Sequence, residues 1–182
     1  MTALLIFLSF LLIQRFAELA VAKRHENILK KAGATEVDRK GYSFIVAMHA
    51  AFFVALPLET ILMKRTPSSL WIVFLAAFAA AQFLRYWAIS SLGVYWNTRI
   101  IVAPNHPTIN KGPYRFLRHP NYVAVITELA VIPLIFSCYI TAIVFTILNS
   151  ILLRRRIRIE RRALGIAHSG LGEIKKPDGI TT

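Results

Sequence analysis

The chain has one cysteine, Cys138, which excludes an internal disulfide framework and a cysteine-based zinc site. Acidic residues are scarce, with nine Asp and Glu against 22 Lys and Arg, and the net charge is +13. Glycine and proline number eight each, and neither a dinucleotide-type glycine pattern nor a P-loop is present. No second His or carboxylate stands at metal spacing beside His49, so no metal is expected and His49 reads as a packed, hydrogen-bonded residue. Internal repeats and low-complexity linkers are also missing. So is a basic amino-terminal region. Residues 3–13 are apolar and Ala20-Val21-Ala22 resembles a cleavage site, but Arg15 and Glu18 interrupt the segment. A retained first helix is therefore favoured over a removed signal peptide.

What the chain does have is apolar surface. Its 182 residues suffice for one domain, 1–182, and 56% of them are hydrophobic, against roughly 45–50% in soluble domains. High apolar content with strong positive charge fits apolar residues facing lipid and basic ones gathered at a membrane surface. Nucleic-acid binding is the other use of such a charge balance, but no basic segment interleaves with exposed aromatics, and no nucleic acid is expected.

Four apolar runs stand out, at residues 3–22, 41–63, 69–92 and 122–153. A bilayer core needs about 20 helical residues per span. The last run, with Glu128 as its only charge, is too long for one helix and short for two. A break near Ser137-Cys138-Tyr139, with Pro133 kinking the first arm, makes it a tight hairpin. The expectation is an all-α polytopic membrane protein of about five transmembrane helices, with a short C-terminal helical hairpin and a cytoplasmic helix extension. Charge placement agrees. Residues 23–40 hold six Lys/Arg, 93–119 four and the chain from Arg154 eight, against two in 64–67. An odd helix number puts the three rich segments on one face, which the positive-inside rule assigns to the cytoplasm. The protein is expected in the cell membrane, with a catalytic part at about 93–166 facing the cytoplasm.

The connection after the third run reads Leu92-Gly93-Val94-Tyr95-Trp96-Asn97-Thr98-Arg99 and continues to Lys111-Gly112-Pro113-Tyr114-Arg115-Phe116-Leu117-Arg118-His119-Pro120-Asn121-Tyr122. One reading is an interfacial belt of aromatic and basic residues at headgroup level. The belt does not explain a His set among prolines and tyrosines where a helix begins. Pro120 suits a first turn, His119 and Tyr122 can share a face, and the free N–H groups there suit a carboxylate or phosphate. A second cluster, Arg154-Arg155-Arg156-Ile157-Arg158-Ile159-Glu160-Arg161-Arg162, extends the last helix. Most of its arginines can be read as lipid anchors, each contributing about 1 kcal/mol. Glu160 is the acid inside the basic run, one turn from Arg156. Glu128, about two turns into the fourth helix, is a costly intramembrane carboxyl group and a catalytic candidate by default. Its alternative is a bond to a neighbouring helix, with Arg85 a possible partner and Arg15 open to the same reasoning.

At these residues the sequence resembles the isoprenylcysteine carboxyl methyltransferase family of integral-membrane methyltransferases. The matching text is residues 112–122 together with Arg156-Ile157-x-x-Glu160. Gln14-Arg15-Phe16-Ala17-Glu18-Leu19, Ala47-Met48-His49-Ala50-Ala51-Phe52-Phe53 and Trp96-Asn97-Thr98 look closest to the bacterial alkylpyrone O-methyltransferases. The resemblance implies S-adenosylmethionine as cofactor, in a non-Rossmann pocket. It implies that His106, Pro107, Thr108 and Ile109, then Tyr114, His119, Pro120, Asn121 and Tyr122, surround it, with Glu160 closing from the C-terminal helix. Arg156 would face a lipophilic acceptor, methylated on an enol or carboxylate oxygen. One departure is that the family has two consecutive acids where this chain has Glu160-Arg161. Alternatives are methylation of a phospholipid amine or a prenylated cysteine, NADPH-dependent reduction as in the membrane sterol reductases that share a related pattern, and a non-enzymatic scaffold.

Overall fold

The structure is a computed structural model that describes residues 2–104 and 109–169, with side chains as far as 165. Five helices carry the chain: α1 (Thr2–Lys31), α2 (Arg39–Leu62), α3 (Trp71–Leu92), α4 (Pro120–Ile135) and α5 (Tyr139–Ser169). α3 packs along α4, α4 on α5, and α2 on α5. On α1 the buried residues are Leu4, Leu8, Leu11, Gln14, Glu18, Ala22, Glu26 and Leu29, steps of three or four that make one stripe. The other faces hold large apolar side chains such as Ile6, Ile13 and Phe16, each about two-thirds exposed. So much uncovered apolar surface is at odds with water and suits lipid.

Among the described residues, three helical stretches are long and apolar enough to cross a membrane, Thr2–Lys31, Arg39–Leu62 and Trp71–Tyr95. The chain is therefore a mostly helical, multi-pass membrane protein. α4 is apolar but has 16 residues, about 24 Å of helix against a hydrocarbon core of about 30 Å. It pairs with the apolar half of α5 as the expected hairpin. The break falls at Phe136–Cys138, where the Pro133 carbonyl accepts from both Phe136 N and Cys138 N and Ser137 takes a left-handed φ of 56°. Glu59 of α2 accepts from Thr141 N at 2.7 Å and Ile140 N at 3.3 Å. It thereby satisfies donors that a helix start leaves orphaned. Cys138 is fully buried, its sulfur 3.2 Å from the Thr60 hydroxyl.

The mostly helical fold is consistent with the expected all-α class, and the structure adds one short ribbon to it: strands β1 (Thr35–Val37) and β2 (Ile100–Val102) pair antiparallel, Glu36 opposite Ile101. Three-residue strands are too short to carry a readable alternation. Helix α1 also runs nine residues beyond the end of its apolar run, supported by Glu26 pairing with Lys23 and Lys30 one turn to either side. Part of the basic first loop is therefore helix. The ribbon, and an Arg99–Glu36 ion pair beside it, bind the α1–α2 connection to the α3–α4 connection. Asp38 caps α2 by accepting from Gly41 N at 3.1 Å and takes both terminal nitrogens of Arg155 at 2.8 Å. A Cβ on Gly41 would lie 2.0 Å from the Asp38 carboxylate and 2.1 Å from the Arg155 guanidinium, so a larger residue would have to displace that ion pair. These ties gather the basic segments at one end of the bundle. The apolar core, including Leu8, Phe52, Leu56 and Phe78, occupies the other.

Between the two ends lies a charged belt. Glu128 is buried on α4 and takes Arg85 of α3 in two contacts, at 2.7 and 2.5 Å, together with Arg15 of α1 and Gln82 Nε2 at 3.0 Å. Arg15 also bonds Glu18 at 2.7 Å, and Gln14 donates to Glu18 and Gln82. Two cations and two carboxylates thus neutralise one another out of water, where each alone would cost several kcal/mol. Glu128→Leu leaves the buried Arg85 and the half-buried Arg15 facing one carboxylate. It is expected to lower stability by about 3–5 kcal/mol, measured by denaturant unfolding in detergent micelles. The double change Glu128→Leu/Arg85→Met is expected to recover a large part of that loss.

Candidate functional site

The site forms where α4 begins. Gly112 has φ 57°, and a Cβ there would stand 2.0 Å from the Ser91 hydroxyl. The Gly112–Arg115 turn therefore lies hard against α3. The chain then reaches His119 in a non-helical conformation and enters α4 through Pro120 at its first position, where proline's missing N–H costs nothing. His119 stacks on Tyr122, centroids 5.1 Å apart and planes within 10°. The Tyr122 hydroxyl donates to Glu160 Oε2 at 2.6 Å and accepts from Arg156 Nε at 2.9 Å. The two α5 charges meet on that oxygen and not on each other. Arg156 is only 8% exposed, and among the described residues no carboxylate pairs with it. A buried, uncompensated guanidinium is an invitation to an anion.

Two cavities adjoin these residues. The first, about 370 Å³, is walled by Tyr95, Trp96, Ile109, Tyr114, His119, Tyr122 and Glu160. The second, about 290 Å³, lies between α1 and α2 with α4 and α5 as its floor, and is lined mainly by apolar side chains such as Leu19, Ile45, Phe53, Val125 and Leu153. Its rim includes Phe16 and Val46, exposed on the outer faces of α1 and α2, so it opens sideways. Trp96, Asn97, Asn121, Tyr122 and Arg156 line both cavities and form the wall they share. The loop in that wall is pinned to α1: His25 Nδ1 donates to the Trp96 carbonyl at 2.9 Å, and Asn97 donates to the Ala22 carbonyl at 3.2 Å. Among the described residues, Trp96 Nε1 and Asn121 Oδ1 are buried there without hydrogen-bond partners.

Electrostatics keeps two ring groups neutral. Burial pushes the Tyr114 hydroxyl well above its ordinary pKa, and the Glu160 charge pushes the same way, so it remains a donor. Burial pulls His119 below its ordinary value. Glu160 opposes this, while Arg161 and Arg118 add to it. Arg161, the residue that departs from the two-acid pattern, thus helps hold His119 unprotonated.

Of the residues expected at the site, Ile109, Tyr114, His119, Asn121, Tyr122, Arg156 and Glu160 line the first cavity. Pro120 is buried and serves to start the helix. His106, Pro107 and Thr108 lie outside the described residues. Glu128 lines neither large cavity. Its carboxylate is occupied by Arg15, Arg85 and Gln82, which makes it a clamp between helices. Sequence reasoning did not single out Tyr122 as the bridge between Arg156 and Glu160, nor Gln14 and Gln82 as belt members. The two glutamines could have been found as polar side chains inside apolar runs, which in lipid seek partners across helices.

His119 gives a signed pH dependence. Its folded pKa lies below the unfolded value of about 6.5, so the unfolded chain binds the proton more readily. Stability is therefore complete above about pH 6.5 and falls as pH drops through that value toward the folded pKa. Melting temperatures of detergent-solubilised protein between pH 7.5 and about 5.5 are expected to show this fall, and His119→Gln to flatten it.

Comparison with known proteins agrees with this geometry. A family model described as the isoprenylcysteine carboxyl methyltransferase (ICMT) family matches residues 71–166, from α3 through the charged stretch of α5. The chain is 45% identical to the uncharacterized protein YpbQ of Bacillus subtilis over 86% of this chain and 94% of that protein. It is 27% identical to an uncharacterized protein of Haemophilus influenzae over 82% of this chain and 88% of that one. No solved structure matches. With more than half its length matched, and the matched part holding Tyr122, Arg156 and Glu160, the chain belongs to the isoprenylcysteine carboxyl methyltransferase family, which implies a membrane methyltransferase.

Proposed function

We propose that the chain transfers the methyl group of S-adenosylmethionine to an enol or carboxylate oxygen of a lipophilic acceptor such as an alkylpyrone, at the cytoplasmic face of the cell membrane. The observation that carries this reading is the shared wall. A polar, aromatic-sided cavity and an apolar, laterally open one meet at Trp96, Asn97, Asn121, Tyr122 and Arg156. The family's methyltransferases use S-adenosylmethionine, and the first cavity fits that group. Its volume lies within the range of small-molecule sites. Its tyrosine and tryptophan faces suit a sulfonium cation, Glu160 can accept from hydroxyl or amino groups, and the unpartnered Asn121 Oδ1 offers another acceptor. The second cavity suits a hydrocarbon tail arriving from the bilayer. The concentration of basic residues at this end of the bundle supports the cytoplasmic orientation. The hairpin α4–α5 would complete a five-span arrangement, with membrane lipids around it.

When bound, S-adenosylmethionine would supply an electrophilic methyl group on a positively charged sulfur, and transfer of that methyl to an ionised acceptor oxygen, with cleavage of the carbon–sulfur bond, would cancel one cation against one anion. The chain's own residues do the rest by placement. Arg156 holds the acceptor's oxyanion, and Tyr122 fixes Arg156 by accepting from its Nε. The acceptor is acidic enough to arrive ionised, so no strong base is needed. The apolar walls keep water out, which favours a step that cancels charge. An amine acceptor is disfavoured by the guanidinium at that wall.

Calorimetry on detergent-purified protein is expected to show saturable binding of S-adenosylhomocysteine. Glu160→Ala is expected to weaken that binding. Arg156→Ala is expected to leave it nearly intact while lowering turnover by about a hundredfold. Silence toward S-adenosylhomocysteine, with saturable binding of NADPH in its place, would sink the proposal. Incubating membranes that contain the protein with labelled S-adenosylmethionine and lipid extract identifies the compound that gains the methyl group.

A further inference from the structure

Along α5, Asn149, Leu153 and Arg156 succeed one another by four and then three residues and so share a face. All three line the apolar cavity. Leu153 suits its surroundings there, and Arg156 has Tyr122. Asn149 has nothing. Its side chain is fully buried, and among the described residues neither Oδ1 nor Nδ2 has a hydrogen-bond partner. A buried amide left unpaired at both ends weakens the fold. The helix does not call for it either, since leucine is the better helix former. The amide's use must come from something that enters the cavity.

The opposite wall supports this. α2 and α5 run antiparallel, tied at one end through Glu59 and Thr141 and at the other through Asp38 and Arg155. That brings His49 to about the height of Asn149, and His49 lines the same cavity. Its Nδ1 lies 2.8 Å from the Ile45 carbonyl. A carbonyl can only accept, so Nδ1 carries the proton and Nε2 is left as an acceptor. At this level the cavity has hydrogen-bonding groups on two walls, amid Ile45, Phe53 and Leu153. Asn149 precedes Arg156 by seven residues, about 10 Å of helix rise. Helical side chains lean toward the N-terminus, and the longer arginine reaches back to shorten that gap toward the width of a small ring.

We infer that Asn149 is a specificity-determining residue of the acceptor cavity, donating from Nδ2 to a second oxygen of the acceptor that lies on the tail side of the oxygen held by Arg156. This rests on the reading that the apolar cavity holds the acceptor. A plain carboxylate has both oxygens together at Arg156 and leaves Asn149 unpaired. A ring with oxygens on separate edges reaches both residues. Pairing the amide only when such an acceptor is present converts its cost in the empty protein into discrimination between acceptors.

The test uses two acceptors of equal chain length, a 6-alkyl-4-hydroxy-2-pyrone and a fatty acid, with labelled methyl transfer by the full chain in detergent. The unaltered chain is expected to show the lower KM for the pyrone. Asn149→Leu is expected to raise the pyrone KM about tenfold, to leave the fatty-acid KM and S-adenosylhomocysteine affinity unchanged, and to raise the melting temperature without acceptor. A merely structural asparagine would instead lower that melting temperature and move both acceptors alike. Indifference of the unaltered chain between the two acceptors overturns the inference however the variant folds, as does an unchanged pyrone KM in a folded variant. Failure of the unaltered chain to bind S-adenosylhomocysteine would strike the methyl-transfer reading first, and this inference with it.

Discussion

Two arginines and two glutamates are held between α1, α3 and α4, away from bulk water, and none of the four is tolerable there without the others. Desolvation makes each charge costly, and only close pairing with further hydrogen bonds offsets that cost. Glu128 takes both guanidinium groups, Glu18 ties them back to α1, and the amides of Gln14 and Gln82 fill remaining positions. The consequence is geometric. In a membrane, apolar contacts alone discriminate poorly between rotations of a helix, because lipid tails are as apolar as leucine. A charge that must meet its partner sets the rotation. With Glu128 turned toward Arg85, Asn121 two turns earlier on the same face of α4 is turned toward the cavities.

The end of the bundle that holds the candidate site shows the same economy of charge with a different outcome. In the belt every charge has an opposite. At the shared wall, Arg156 is buried with a tyrosine hydroxyl as its hydrogen-bond partner, and Glu160 reaches that hydroxyl from the other side. Tyr122 keeps the two apart, so the guanidinium is positioned yet electrically available. Arg161 in place of a second acid raises the positive potential around His119 and leaves Glu160 as the sole carboxylate on that stretch of helix. Under the proposed function, that division would serve both an anionic acceptor and a cofactor with hydroxyl and amino groups.

Much of this was readable from the amino-acid order, for local reasons. Apolar runs of span length announce helices in any context, and a 32-residue run with Ser137-Cys138 inside it announces a turn. A lone carboxyl group in such a run must have a partner, so Arg85 could be named for Glu128 from chemistry alone. Arg156 and Glu160 share a face by spacing. The opposite failures have local reasons too. The ribbon between Thr35–Val37 and Ile100–Val102 is three residues long, and the last turns of α1 are polar and read as loop. Glu128 looked catalytic because isolation in lipid signals function and structural clamping equally.

The order of residues determined which segments are helical, that they lie in a membrane, at which end the basic charge gathers and which motif names the family. The first three follow from composition and from the placement of apolar runs and charges, properties the chain has before it folds, while the family follows from the resemblance of residues 112–122 and Arg156 to Glu160 to known proteins. Tertiary structure alone decided that Tyr122 stands between Arg156 and Glu160, that Glu128 joins Arg15, Arg85 and Gln82 in the belt, and that Trp96 and Asn121 separate two cavities. A cavity is the space that several helices fail to fill. Its walls come from residues as far apart in the chain as Leu12 and Arg156, and no local pattern encodes how closely α1, α2 and α5 approach.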